Sequence, residues 1–192
     1  MIRALAMALA GALLMTACGE ERLNGTDLGN SSAPDFTLVD GLSGNSVSLS
    51  SLRKSTVALA FLYTRCPDVC PLTAAQFRAA QRSLGADASK VEFVAVSVDP
   101  DGDTPAAVRE FSERHDLREH WRYLIGPRAQ LEAVWSRYGV GSFASSGARA
   151  VDHNDAIYLI DGRGRERVLI HSSDPANWLL DDLRALVRER SD

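Results

Sequence analysis

The chain has 192 residues and a formal net charge of −4 at pH 7, with 45% hydrophobic and 24% charged residues. This composition is ordinary for a globular protein and supplies enough apolar material for one sizeable core. A mildly acidic chain without a basic block binds nucleic acid poorly, so we expect no nucleic-acid partner. The three cysteines, Cys18, Cys66 and Cys70, are too few for a multi-bridge disulfide framework or a four-cysteine zinc site.

The N-terminal segment has the pattern of an export signal. Residues 1–17 read MIRALAMALAGALLMTA, with Arg3 as the only charge before a short apolar run. The run is shorter than a membrane-spanning helix needs, and small residues close it. The tail LMTAC resembles a bacterial lipobox, although Met15 stands where Leu is commoner. This resemblance implies that Cys18 is lipidated, and the alternative is an ordinary secretory signal with Cys18 as a bystander.

The next segment, residues 18–33, is rich in Gly, Asn and Ser and shows no apolar period. That composition predicts a flexible tether between a membrane anchor and a domain that spans residues 34–192. A protein built in this way would be exported and held by its lipid at the extracytoplasmic face of a bacterial membrane. We expect the domain to be a monomer.

The domain opens with a hairpin pattern and continues with two strand–helix pairs. Apolar segments flank turn residues within 36–49, which predicts a β-hairpin. The continuous apolar runs VALAFL (57–62) and VEFVAVSV (91–98) predict strands that are buried on both faces. Each run precedes a helical pattern, at residues 70–84 and 104–115, so we expect parallel strands joined by helices.

The C-terminal part adds a strand, two helices and a second hairpin. A short strand at 121–125 precedes a helix that Pro127 opens. Strand patterns at 156–160 and 167–171 flank a DGRG turn, and Asp174-Pro175 is predicted to cap a last helix. This order of elements predicts an α/β protein of thioredoxin-like fold, with a central mixed sheet flanked by helices and an N-terminal β-hairpin.

Cys66 and Cys70 lie in the segment YTRCPDVCP, where a buried strand gives way to a helix. The free N–H groups and partial positive charge of a helix N-terminus favour a thiolate there. The i, i+4 spacing brings the sulfurs together if the segment is helical, so the pair could close a disulfide or hold a soft metal such as Cu(I). A purely structural disulfide is the alternative, although so short a ring stabilises little by chain entropy.

With its flanking segments, YTRCPDVCP resembles the Sco/SenC family of copper-binding, thioredoxin-fold cytochrome oxidase assembly factors. Similar segments elsewhere are PDFTL at the start of the domain, VSVDP followed by DTP, YGV, and VDH before the late hairpin. The resemblance covers residues 34–190. The chain departs from the family pattern at Arg65, where members often have His, and at Gly102, where Arg is usual.

The resemblance implies that copper binds to Cys66, Cys70 and His153, because the family's metal-binding histidine also precedes the late hairpin. On position alone, His153 would be read as an ordinary loop histidine. Two thiolates and an imidazole suit Cu(I), and they can hold Cu(II) with an added ligand. A structural zinc site would need a fourth protein ligand, and the sequence offers no obvious one. We expect His171, at the end of a strand, to be structural or exposed.

Three carboxylates are candidates for supporting roles at this site. Asp152 or Asp155 would accept a hydrogen bond from the His153 imidazole and orient it. Asp68 lies between the two cysteines and would tune the pair or contact a partner. An ordinary solvent-facing residue in the first helical turn is an equally good interpretation of Asp68.

The resemblance implies a membrane-tethered chaperone that delivers copper to the dinuclear copper site of a haem–copper oxidase subunit. Transfer by ligand exchange favours ligands in loops and at a helix start rather than in a core. The same thiols would serve a thiol–disulfide oxidoreductase that reduces the acceptor's cysteines, so enzymatic activity stays open. A redox or copper sensor is a further hypothesis. A peroxidase of the peroxiredoxin type is disfavoured, because Leu59 and Tyr63 stand where those enzymes have Pro and Thr.

Overall fold

A computed structural model describes residues 22–140 and 155–189. Within these ranges the chain forms eight strands, four α-helices and two 3-10 helices. In chain order they are β1 (Thr26–Asp27), β2 (Thr37–Asp40), β3 (Ser46–Ser48), a 3-10 helix (Leu49–Leu52), β4 (Thr56–Leu62), α1 (Val69–Leu84), a second 3-10 helix (Gly85–Lys90), β5 (Val91–Ser97), α2 (Pro105–Arg114), β6 (Trp121–Ile125), α3 (Arg128–Arg137), β7 (Ala156–Ile160), β8 (Glu166–His171) and α4 (Trp178–Glu189). None of these helices is long and apolar enough to cross a membrane. The predicted export segment 1–17 and Cys18 lie outside the described residues.

The strands form one mixed sheet in the order β1-β8-β7-β4-β5-β6-β2-β3. Strands β4, β5 and β6 run parallel at its centre. The hairpin β7–β8 joins one side of this centre and the hairpin β2–β3 joins the other, both antiparallel to their neighbours. Parallel neighbours need a long crossover, and the helices α1 and α2 supply these connections. The predicted thioredoxin-like mixed sheet and its N-terminal hairpin are confirmed.

Two apolar clusters cover the two faces of the sheet, which explains the unbroken apolar run of β4. Because side chains alternate along a strand, a strand with both faces buried is apolar at every position. One face contributes Leu62 to a cluster that also contains Phe77 of α1 and residues of α2 and α4. The other face contributes Leu59 to a cluster that contains Trp135 of α3 and the N-terminal hairpin.

The segment predicted as a flexible tether is folded onto the domain over its described part, so that prediction is wrong there. Strand Thr26–Asp27 pairs antiparallel with β8 at the edge of the sheet. The Asp182 carboxylate of α4 accepts hydrogen bonds from the backbone N and Nδ2 of Asn24, at 2.8 and 2.7 Å. A Cβ on Gly25 would lie 2.5 Å from the Leu169 carbonyl oxygen, so this glycine serves close packing rather than flexibility. The folded domain therefore begins near residue 24.

The last helix begins later than predicted, at Trp178 rather than directly after Asp174-Pro175. The Asp174 carboxylate instead accepts the backbone N–H of His171 at 2.8 Å, within the turn that follows β8. The aspartate therefore stabilises the turn before the helix, and the helix itself begins at Trp178.

A buried carboxylate holds the turn between β7 and β8. Asp161 is only 6% exposed. Its Oδ1 accepts the backbone N–H groups of Arg163 and Arg165 at 2.9 and 3.0 Å, and its Oδ2 lies 2.7 Å from the Arg165 guanidinium. Burial opposes ionisation of Asp161, but these donors outweigh it and hold the pKa of the carboxyl below its ordinary value.

We expect Asp161 to contribute to acid unfolding. Since its pKa is lower in the folded chain than in the unfolded chain (about 3.9), its stabilisation is complete above that value and is lost as the pH falls through the folded pKa. Asp161→Asn should lower the free energy of unfolding at pH 7 by about 2 kcal/mol and flatten its decline below about pH 4. Urea unfolding across this pH range measures both effects, with the exposed Asp101→Asn as control. An unchanged decline would contradict the assignment.

Candidate metal centre

Cys66 and Cys70 lie at the junction of β4 and α1, but only Cys70 is helical. Helix α1 begins at Val69, and its N-cap residue Asp68 makes no side-chain capping hydrogen bond. The Sγ of Cys66, just before the helix, accepts the backbone N–H of Cys70 at 3.5 Å. The Cys66 sulfur therefore does what a capping side chain does, and the two cysteines are adjacent across the helix start.

Both cysteines are free thiols, and both are buried. Cys66 is 6% exposed and Cys70 is 1% exposed. We expected an exposed pair, because transfer by ligand exchange favours accessible ligands, and that expectation is wrong. Both belong to the apolar cluster under α1, α2 and α4. The junction is thus part of the core, and its position in a loop and helix start does not expose the sulfurs.

Burial also opposes the thiolate that a helix N-terminus would favour. Burial, and then the neighbouring Cys66 sulfur, raise the pKa of the Cys70 thiol. The same two causes raise the pKa of Tyr63 to about 12. Cys70 is therefore protonated at neutral pH in the metal-free protein, and a metal ion that binds there has to displace the proton.

A buried carboxylate, Asp103, is linked to the cysteine segment through Thr64. Its Oδ1 accepts hydrogen bonds from the backbone N and the Oγ1 of Thr64, both at 2.8 Å. Its Oδ2 accepts hydrogen bonds from the Ser97 hydroxyl at 2.7 Å and the Tyr123 hydroxyl at 3.0 Å. The sequence marked Asp103 only as part of a family segment. Polar residues that follow neighbouring parallel strands were the signal that could have placed it at the site.

The two departures from the family pattern, Arg65 and Gly102, lie together beside the site. The Arg65 guanidinium pairs with the Asp99 carboxylate at 2.7 Å. A Cβ on Gly102 would lie 2.3 Å from Nη2 of Arg65 and 2.2 Å from Oδ2 of Asp99. The missing side chain at position 102 therefore leaves the space in which the Arg65–Asp99 ion pair forms, so one departure accommodates the other.

The third predicted ligand, His153, and its neighbour Asp152 lie outside the described residues. Asp155 is described, and both of its carboxylate oxygens are engaged elsewhere. Its Oδ1 lies 2.9 Å from Nδ1 of His171, and its Oδ2 accepts the Ser172 hydroxyl at 2.6 Å. Asp155 therefore orients His171, and its predicted role toward His153 stays a prediction. Residues 22–140 and 155–189 contain no group of three or more His, Cys, Asp or Glu side chains arranged to hold a metal.

The fold and this junction define a thioredoxin-like α/β protein with a buried dithiol where a parallel strand meets a helix. A family model described as SCO1/SenC matches residues 24–188, which agrees with the folded start found near residue 24. The chain belongs to the SCO1/SenC family, as the sequence resemblance predicted.

Two of the matching proteins are similar over most of their own length. The SCO1 protein homolog of Bacillus subtilis (strain 168) is 27% identical over 186 residues, which cover 93% of this chain and 92% of the relative. The structure of Bradyrhizobium japonicum ScoI with copper bound is 31% identical, has a TM-score of 0.70, and is matched over 99% of its length by 81% of this chain.

A further solved structure is 23% identical and has a TM-score of 0.72, so it supports the fold alone. The match covers 86% of this chain and 98% of the length of the solved chain. That protein, BsSco, is described as having a disulfide switch and as a member of the Sco family of cytochrome c oxidase assembly proteins.

Proposed function

We propose that this protein is a copper chaperone that binds one copper ion through Cys66, Cys70 and His153. The observation that carries the proposal is the pair of free, adjacent thiols, with the Cys66 sulfur 3.5 Å from the Cys70 nitrogen. It is supported by the related Bradyrhizobium protein, whose structure contains copper. Copper is the cargo of such a protein, and it leaves again by ligand exchange.

The donor set suits copper. Thiolates are soft ligands that select Cu(I), and an imidazole completes a three-coordinate site. Structural zinc is almost always bound by four protein ligands, and the sequence has no cysteine besides this pair and Cys18. The burial of both sulfurs would protect a bound Cu(I) ion from water, while release would require the segment around the pair to open.

We further propose that the acceptor is the dinuclear copper site of a haem–copper oxidase subunit. Membership of the SCO1/SenC family supports this, since BsSco is described as belonging to a family of cytochrome c oxidase assembly proteins. In this proposal the domain acts outside the cytoplasm, with residues 1–17 removed and Cys18 lipidated. Metabolic labelling with a radioactive fatty acid tests the anchor, and a Cys18→Ala chain that still takes up the label would contradict it.

Copper loading and transfer test the chaperone proposal directly. The reduced full-length protein, incubated with Cu(I) and passed over a desalting column, should retain one copper ion per chain. Mixed with the copper-site domain of an oxidase subunit, it should lose that copper to the acceptor. A protein that retains no copper, or retains it equally when the thiols are blocked by alkylation, would rule the proposal out.

The free, adjacent thiols also favour a second candidate, a thiol–disulfide oxidoreductase. Cys66, the more exposed of the two, would attack an acceptor disulfide and release one acceptor thiol. Cys70 would then attack the mixed disulfide, so that Cys66–Cys70 is oxidised and the acceptor is fully reduced. An oxidised acceptor peptide tests this, because Cys70→Ser should trap the mixed disulfide. If the wild type releases no acceptor thiols, the second candidate is excluded.

A further inference from the structure

Asp103 is a buried carboxylate whose partners are all neutral. It is 3% exposed and accepts four hydrogen bonds, two from Thr64 and one each from Ser97 and Tyr123. Among the described residues, no Lys, Arg or His side chain donates a hydrogen bond to it. A carboxylate buried among neutral donors costs folding free energy, and a neutral residue of similar shape would fill the same space at less cost. Its presence calls for a role beyond packing.

The donors of Asp103 come from two of the central strands and from the turn that carries Cys66. Thr64 lies in the turn that follows β4, Ser97 ends β5, and Tyr123 belongs to β6. These three strands are parallel neighbours, and ligand sites of α/β proteins lie at the carboxyl ends of such strands. Asp103 itself comes just before α2, so one side chain ties the elements around the site together.

The contact with Thr64 controls the path of the chain into the site. Past the end of β4, the Thr64 N–H donates to Asp103 at 2.8 Å rather than to a neighbouring strand. The next hydrogen bond along the chain runs from Cys66 N to Tyr63 O at 3.2 Å and closes a tight turn. The Thr64 hydroxyl adds a second bond to the same oxygen of Asp103. The turn that carries Cys66 is therefore fixed at its middle by Asp103.

We propose that Asp103 is a positioning residue for the dithiol: it holds the turn 63–66 so that the Cys66 sulfur stays beside the Cys70 N–H. It acts through Thr64 and is not itself a ligand. The expected effect on copper binding rests on the proposed function, whereas the expected effect on the geometry of the two thiols does not. A measurement without metal therefore separates the two.

The test compares Asp103→Asn with the wild type in two measurements. In the first, the full-length protein competes with a chelator for Cu(I), and Asp103→Asn should bind about tenfold more weakly, the usual cost of a lost supporting partner. In the second, the metal-free protein is equilibrated with reduced and oxidised glutathione. The equilibrium constant for forming the Cys66–Cys70 disulfide should be smaller in Asp103→Asn by a factor of about three or more, because the sulfurs are held together less well.

Asp40→Asn is the matched control. Asp40 is also 3% exposed, and its donors are likewise neutral: the Ser43 hydroxyl at 2.6 Å and the backbone N–H groups of Leu42 and Tyr123 at 3.2 and 3.4 Å. It makes no described contact with the turn 63–66. Urea unfolding should show destabilisation of both variants, while Asp40→Asn leaves the copper and glutathione measurements at wild-type values.

Thr64 supplies a second pair of variants in case Asp103→Asn does not fold. Thr64→Val removes the hydroxyl donor and should shift the glutathione equilibrium in the same direction, whereas Thr64→Ser keeps the donor and should restore the wild-type value. Equal shifts in Asp103→Asn and Asp40→Asn, or a wild-type value for Thr64→Val, would overturn the inference. A wild type that retains no copper, together with a glutathione shift in Asp103→Asn, would refute the copper proposal and leave the positioning role intact.

Discussion

Cys66→Ser and Cys70→Ser are each expected to lose tight copper binding, with Cu(I) affinity falling by more than about a hundredfold. A lost supporting partner already costs 10–100-fold, and these variants lose a ligand itself. A serine hydroxyl is a hard donor that stays protonated at neutral pH, so it cannot replace a thiolate on Cu(I). His153→Ala should have a smaller effect on Cu(I), because two thiolates remain to bind it.

Competition with a Cu(I) chelator under anaerobic conditions measures these affinities. Cys18→Ser is the matched control, because it also replaces one cysteine by serine but leaves the pair intact, and its affinity should equal that of the wild type. Thermal unfolding of each variant shows whether a loss of binding reflects a loss of fold. Wild-type affinity in both the Cys66→Ser and the Cys70→Ser variant would mean that the two thiols do not bind the copper ion.

Phe77→Ala is expected to cost about 3–5 kcal/mol of folding free energy, as large-to-small changes at buried aromatic residues do. Phe77 lies on α1, is fully buried, and has its ring centroid 5.1 Å from that of Phe93 and 6.0 Å from that of Trp121. Its truncation would leave a cavity between α1 and the sheet, about two helical turns after Cys70. Urea unfolding should show a lower midpoint with an unchanged slope.

Leu72→Ala on the same helix is the matched control for this change. Leu72 is a large apolar residue but is 53% exposed, so its truncation should cost less than about 0.5 kcal/mol. Equal losses in the two variants would mean that α1 does not bury the face on which Phe77 lies.

The central strands could be predicted because their pattern is local. All seven positions of β4 are buried, and the last six of them, Val57 to Leu62, read directly as an unbroken apolar run. Turn residues mark the hairpins. The N-terminal segment could not be predicted, because the role of Gly25 depends on a close approach to Leu169, far away along the chain. The start of α4 was misplaced for a similar reason, since the Asp174 carboxylate turns back to His171.

The site was predictable in its position but not in its environment. The spacing of Cys66 and Cys70 at the end of an apolar run was enough to predict a dithiol at a strand–helix junction. The burial of the sulfurs depends on packing between distant segments, so it cannot be predicted from a local residue pattern. The hydrogen bonds of Asp103 to Thr64 are another long-range contact, so the sequence indicated the segment but not its role.

The folded start of the domain near Asn24 determines how far the protein could reach if Cys18 carries a lipid. A tether running from Cys18 to residue 33 would span roughly 50 Å when extended, whereas the segment from Cys18 to Asn24 spans at most about 20 Å. The domain would then sit almost against the bilayer, with the β1 edge of the sheet and α4 nearest the lipid. An acceptor would have to present its copper site within this thin layer of space above the membrane surface.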